Sequence, residues 1–242
     1  MISIKNSLFI LFKSLLNRRL TSLLLLLTLS LSILLLTGLL HLKQELKTSL
    51  SRSLSQTDLI VAAQSSSLQL LFSTVFKKGQ LTKPLSAASV EKIKNMKDVK
   101  WLLPLSLGDS HQGYPVLATT ADYFKFFRFG KKQALSLDQG RIFNQSLEVV
   151  LGSDVAKNKG YKLGDKLFLS HGHGNSTLSL HKNHNFNIVG ILNPTATPVD
   201  QTLHVNLASI ALIHDQDPTD KQAISAAFLG LKSPFSIFKV QR

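Results

Sequence analysis

The sequence predicts an α+β chain in which an N-terminal transmembrane helix with a stalk leads into a mixed α/β extracytoplasmic domain. Three observations carry that expectation. Residues 20–42 contain no Asp, Glu, Lys or Arg, and 14 of these 23 positions are Leu. Residues 43–56 are polar but place Leu46, Leu50 and Leu54 every four residues, a helical spacing. Beyond them, short strand and helix signals intersperse without strict βαβ alternation, which argues α+β.

The chain opens with Ile4, Leu8, Leu11, Phe12, Leu15 and Leu16 at helical spacing, with Lys5, Lys13 and Arg18 largely on other faces. That pattern predicts an amphipathic helix over residues 1–19 lying in the membrane interface. A 23-residue helix rises roughly 34 Å, enough to cross a hydrocarbon core of about 30 Å. A cleaved signal peptide has a shorter apolar core and a small-residue cleavage site, whereas this run ends Thr37-Gly38-Leu39-Leu40-His41. Four basic residues precede the span, against Lys43, Lys47 and Arg52 after it. The bias favours a cytoplasmic N-terminus and an extracytoplasmic residue range 43–242, in an inner (cytoplasmic) membrane crossed once. Thr21, Thr28 and Ser32 share one face, where small hydroxylated residues admit a partner helix or bond back to their own backbone.

After the stalk, strand patterns fall at 58–63, 99–107, 113–119, 147–151, 166–170, 177–180, 185–192, 204–207 and 223–231. Helical patterns fall at 65–76, at 86–96 with Ser86 as cap, at 121–127 with Thr120 as cap, at 153–158 closed by Gly160, and at 207–214. The resulting organisation is an interfacial helix at 1–19, a span at 20–42, a stalk at 43–56, a core domain at 57–234 and a return toward the membrane at 235–242.

Composition narrows the function. The 242 residues include no cysteine, so disulfides, zinc-thiolate sites and cysteine nucleophiles are excluded. The formal charge of +14 is spread over many elements rather than clustered with aromatics, which points to membrane lipids and solvent and not to nucleic acid. There is no P-loop, no Gly-x-Ser-x-Gly elbow and no His-Glu-x-x-His. Asp58, Asp109, Asp122, Asp138, Glu148, Asp154, Asp165 and Asp200 are dispersed, and Asp109, Asp165 and Asp200 read as turn residues. No catalytic residues and no enzyme activity are expected. His171, His173, His181 and His184 form the one cluster of metal-ligand type, and imidazole suits zinc, copper or nickel. A solvated hairpin is the alternative reading, since no carboxylate accompanies them. His111, His204 and His214 stand alone and read as surface or core residues.

Three stretches together resemble a family. Asp58-Leu-Ile-Val-Ala-Ala-Gln-Ser-Ser-Ser-Leu-Gln-Leu, the run from Glu148-Val-Val-Leu-Gly-Ser-Asp through Gly164-Asp165, and Phe186-Asn-Ile-Val-Gly-Ile-Leu-Asn-Pro through Asp200 follow in order after a basic helix, one span and a stalk. This order is similar to the start of MacB-like and FtsX-like ABC transporter permeases and their MacB-like periplasmic core domain. The resemblance implies a permease component that couples a separate cytoplasmic ABC ATPase to a periplasmic domain acting on lipid, lipoprotein or peptide-like cargo. It implies no cofactor in this chain, ATP being used by the partner ATPase. The expected partners are that ATPase, membrane lipids, and further membrane helices from another polypeptide or a second permease copy. A single-pass anchored binding or scaffold protein without transport is the alternative. Two departures stand out: residues 63–67 lack the family's glycines and proline, and Ala196 replaces a glycine. Relatives continue into three more membrane helices where this chain ends at Arg242, so a fragment, a truncated or split gene product, or a subunit completed by a second polypeptide is expected.

Overall fold

A computed structural model of the chain describes residues 9, 13, 14, 17–63, 66–77, 83–171, 184–213 and 224–237. It divides into two compact units, Met1–Ser49 and Leu50–Arg242.

Helix α1 runs without a break over Arg19–Ser53, so the span and the stalk are one helix that stops at Ser53. Its stretch Arg19–Ser49 is long and apolar enough to cross a membrane, and none of its most apolar window is buried by the rest of the protein. Several hydroxyls within the span are satisfied internally. Thr28 Oγ1 donates to the Leu25 carbonyl at 3.0 Å, Ser32 Oγ to Thr28 at 2.8 Å and Thr37 Oγ1 to Ile33 at 2.8 Å. Of the two readings of the Thr28 and Ser32 face, back-bonding is the one observed, and it removes the cost of carrying hydroxyls in hydrocarbon. The predicted helix over 1–19 falls mostly outside the described residues; within it, Lys13 Nζ sits 5.9 Å from the Phe9 ring centroid.

The second unit is built on a mixed sheet. In chain order its elements are β1 (Leu59–Ala62), α2 (Ser67–Thr74), α3 (Ala87–Lys94), β2 (Val99–His111), β3 (Tyr114–Thr119), α4 (Asp122–Phe126), β4 (Arg128–Phe129), β5 (Gln133–Ala134), β6 (Leu137–Gly140) and β7 (Glu148–Leu151). Then come α5 (Ser153–Lys159), β8 (Lys166–Leu167), β9 (Ser170–His171), β10 (Phe186–Leu192), a 3₁₀ turn at Pro198–Gln201, β11 (Leu203–Asn206), α6 (Leu207–Ile213), β12 (Ala226–Leu231) and a 3₁₀ turn at Pro234–Ser236. The strand order is β1-β12-β2-β3-β11-β7-β10-β6, with β8 on β10, β9 on β2, and β4–β5 as a separate hairpin. The pairs β11–β3 and β10–β7 are parallel and the other pairs antiparallel.

Burial on both faces explains the continuous apolar runs. In β7, Val149 and Leu151 join the core with Phe186, Ile188 and Val205, while Val150 points into the opposite core of Leu103, Phe124, Phe143 and Phe228. A strand covered on both sides loses the apolar–polar alternation of a half-exposed one. Long β2 links the two halves of the sheet: residues 99–105 pair with β12 and residues 106–111 with β3. The latter pairing shifts register between Leu107 and Ser110.

Several expectations need correction. The strand predicted at 99–107 continues to His111, because β3 supplies a partner that local sequence does not show. The strand predicted at 166–170 divides into β8 and β9. Thr120 does not cap α4; the N-cap position is Ala121, with no side-chain cap, and Thr120 contributes its carbonyl to the Tyr123 amide at 3.0 Å. Ser86 does cap α3, accepting from Ser89 N at 3.2 Å. Gly160 closes α5 at φ +69°, the left-handed stop expected of it. Gly152, ahead of α5, has an ordinary φ of −66°. Glycine is needed there because a Cβ would meet the Val199 carbonyl oxygen at 2.3 Å and that of Asp200 at 2.4 Å. The strand predicted at 177–180 lies outside the described residues.

Candidate functional site

In the second unit the last turn of α1 enters a joint with the folded domain. The Gly130 amide donates to the Arg52 carbonyl at 2.7 Å and the Ser55 amide to the Arg128 carbonyl at 3.1 Å; the Lys132 amide donates to Ser55 Oγ at 3.2 Å. Ser55 and Arg128 thereby form an antiparallel bridge that attaches the chain leaving the helix to the β4–β5 hairpin. The Arg128 guanidinium braces the hairpin by donating to the Lys125 and Phe127 carbonyls at 2.7 and 2.8 Å. Leu54 then packs against the aromatic core that holds Tyr123, Phe127 and Phe228. Gln56 reverses the chain at φ +70°. Asp58 secures the first strand, its amide donating to the Leu229 carbonyl at 2.9 Å and its carboxylate accepting from the Leu231 amide at 2.7 Å. The start of β1 and the end of β12 are thus bonded side by side.

Beneath this joint lies a cluster of buried polar groups. Lys77, at φ +56°, is buried, donates Nζ to the Thr74 carbonyl and holds the ammonium 5.6 Å from the Phe228 ring centroid. Burial pushes its pKa down to about 7. The Tyr123 ring stacks on Phe127 at 4.7 Å and lies 5.6 Å from the His204 ring. Burial raises the Tyr123 phenol and lowers His204 to about 3, with the Lys77 charge adding to the latter. Neither His204 nitrogen nor the Tyr123 hydroxyl makes a hydrogen bond of ordinary geometry; the Val150 backbone opposite His204 offsets its shift only in part. His204 is therefore a core residue carrying a neutral ring.

The carboxylates of the sequence motifs serve turns. Asp200 accepts from the Thr195 amide at 2.8 Å, the Ala196 amide at 2.7 Å and Thr195 Oγ1 at 2.8 Å. Asp165 accepts from the Lys162 amide at 2.8 Å. Glu148 binds the Arg141 guanidinium and accepts from the amides of Asn144 and Gln145 at 2.9 and 3.1 Å. The Arg141 hydrogen bond, aided by those two amides against burial, holds Glu148 down at about 2. No two of these acids are brought together for proton transfer.

Of the predicted metal ligands, His173 and His181 lie outside the described residues, as does the side chain of His171, whose backbone pairs with Asp109 at the end of β9. His184 is half-buried. Among the described residues, no group of three or more His, Asp and Glu side chains is placed to hold a metal ion. His111 lies at the root of that loop, with Nδ1 2.6 Å from the Phe168 carbonyl and Nε2 2.7 Å from the Tyr161 hydroxyl. Burial, chiefly, and the Lys159 charge lower its pKa.

Sequence reasoning missed both the β4–β5 hairpin and Lys77. The hairpin's strands are two residues each, too short to leave a periodic signal. A lysine inside a core has no local signature, although Phe76-Lys77 directly after an apolar helical face was the available hint.

Residues 22–241 match the family model of the MacB-like periplasmic core domain. Among solved structures the chain is similar to the periplasmic region of MacB from Actinobacillus actinomycetemcomitans, at 11% identity and a TM-score of 0.49, covering 75% of this chain and 78% of that one. It is also similar to the extracellular domain of the noncanonic ABC-type transporter YknZ from Gram-positive bacteria, at 11% identity and a TM-score of 0.46, covering 75% of this chain and 86% of that one. None of the curated proteins matches it.

Proposed function

The chain belongs to the MacB-like periplasmic core domain family, and on that premise we propose that it is a membrane permease component of an ABC transport system. In this reading a separate cytoplasmic ATPase hydrolyses ATP and moves α1, and the domain acts on a lipid, lipoprotein or peptide-like cargo. The N-terminus is cytoplasmic, α1 crosses the inner membrane, and residues 43–242 are extracytoplasmic. The chain performs no catalysis and holds no cofactor of its own.

The observation that carries this reading is the joint at residues 52–58. A helix that only anchored a binding module would serve with a loose tether. Here the helix stays intact to Ser53 and passes at once into backbone hydrogen bonds with the β4–β5 hairpin and β12, so a displacement of the helix end reaches the sheet within five residues. Rigid elements joined by packed contacts are what transmit such displacements.

The test is co-purification of the full chain with a P-loop ATPase from its own cell, followed by measurement of hydrolysis with and without the chain. A stable complex whose hydrolysis rate changes supports the reading. Full retention of biological function after deletion of the ATPase favours the anchored binding or scaffold protein instead.

A further inference from the structure

The space beside the joint is lined mostly by apolar side chains, with a few polar groups among them. Ser53 at the end of α1, Thr74 at the end of α2, Lys77 just beyond it, Tyr123 of α4 and Thr197 line it beside Phe127 and Phe228, and it opens in part to solvent. Its floor admits a body about the size of one water molecule. Thr74 Oγ1 is satisfied by the Leu70 carbonyl at 2.6 Å. The Ser53 and Tyr123 hydroxyls are buried and have no hydrogen-bond partner. The Lys77 ammonium, able to donate three hydrogen bonds, makes one, to Thr74. Three residues with buried donors to spare thus line a space with no carboxylate among its lining residues.

We propose that this space is a site for a small monovalent anion of the halide class, held by Lys77 Nζ with the hydroxyls of Tyr123 and Ser53. A water molecule would meet the hydrogen-bond need but leave a buried charge uncompensated, and an unpaired buried charge is the costlier defect. An anion answers both. Its partners come from α1, the end of α2 and α4, so occupancy fastens the end of the membrane helix to the domain. The inference rests on the geometry of the site and stands independently of the transport reading.

The experiment is thermal unfolding of the full chain in detergent micelles, in sodium chloride against sodium gluconate at equal ionic strength. At pH 6 chloride is expected to raise Tm by about 2–4 °C. At pH 9 the shift is expected to vanish, because Lys77 then loses its charge; the other titratable groups facing it are Tyr123 and His204, and both stay neutral from pH 6 to 9. Tyr123→Phe is expected to keep the gluconate Tm and lose most of the chloride shift, and Lys77→Met to lose all of it. Should Lys77→Met fail to fold, crystals soaked in bromide decide the matter through an anomalous peak within hydrogen-bonding reach of Lys77 Nζ. Equal Tm values in the two salts, a shift that survives Tyr123→Phe undiminished, or a site holding ordered water without bromide would each overturn the proposal.

Discussion

Two regions of the same sheet treat their polar groups in opposite ways. Beside β7 and β10 two motif carboxylates fix turns: Glu148 accepts from Arg141, Asn144 and Gln145, and Asp200 from Thr195 and Ala196. Around the end of α1 the hydroxyls of Ser53, Thr57 and Tyr123 are buried with no hydrogen-bond partner, and Lys77 uses one of its three donors. Native interiors leave few such groups, since each costs about 1–3 kcal/mol. The contrast separates a scaffold, whose turns are fixed by charged acceptors, from a joint held mainly by backbone bonds and aromatic packing. A joint built that way gives up less when it rearranges, which is what a transmitting element requires.

The comparison breaks first at Asp200. Asp200→Ala leaves the Thr195 and Ala196 amides without their acceptor in a part-buried turn, and should cost about 3 kcal/mol in denaturant unfolding. Glu148 gives a pH signature. Its folded pKa of about 2 lies below the ordinary 4.5, so its stabilisation is complete above about pH 4.5 and is lost as the pH falls toward 2. Glu148→Gln should therefore flatten the acid limb of Tm against pH in that window and leave the curve above pH 5 parallel to that of the parent chain. Ala196 sharpens the contrast from the other side. It sits at φ +54° where the family resemblance expects glycine, and Ala196→Gly should stabilise by about 0.5 kcal/mol, relief of left-handed strain exceeding the added unfolded-state entropy. The smallest effect belongs to α2: Ser73→Ala removes a buried hydroxyl that bonds nothing and should leave stability within about 0.5 kcal/mol of the parent chain or raise it.

What the sequence revealed follows the same division. The acids at 165 and 200 announce their turns because turn chemistry is local, and Gly160 announces a helix stop for the same reason, whereas Asp109, read as a turn residue too, lies within β2 beside its register shift. The apolar span and the run at 148–151 announce a membrane helix and a buried strand through composition alone. The joint announces almost nothing. Its hairpin at 128–134 has strands of two residues each, paired with one another and tied to Arg52 and Ser55 across some 75 residues of sequence. Its buried lysine contradicts the ordinary preference of that residue for water. The second half of β2 depends likewise on β3 and β9, and Gly152 on the approach of the 198–201 turn. Elements made by distant contacts are invisible to periodicity, and in this chain they are the ones that form the candidate site.

On the proposed reading, α1 drives the domain through the joint at residues 52–58. The direct test inserts two glycines between Ser53 and Leu54 of the full chain and measures the ATPase response of the reconstituted complex, with Tm of the folded domain as control. The account predicts that Tm holds within a few degrees, that the ATPase still binds, and that its rate no longer responds to cargo. A response undiminished by the insertion would contradict it, showing that motion reaches the domain by another route.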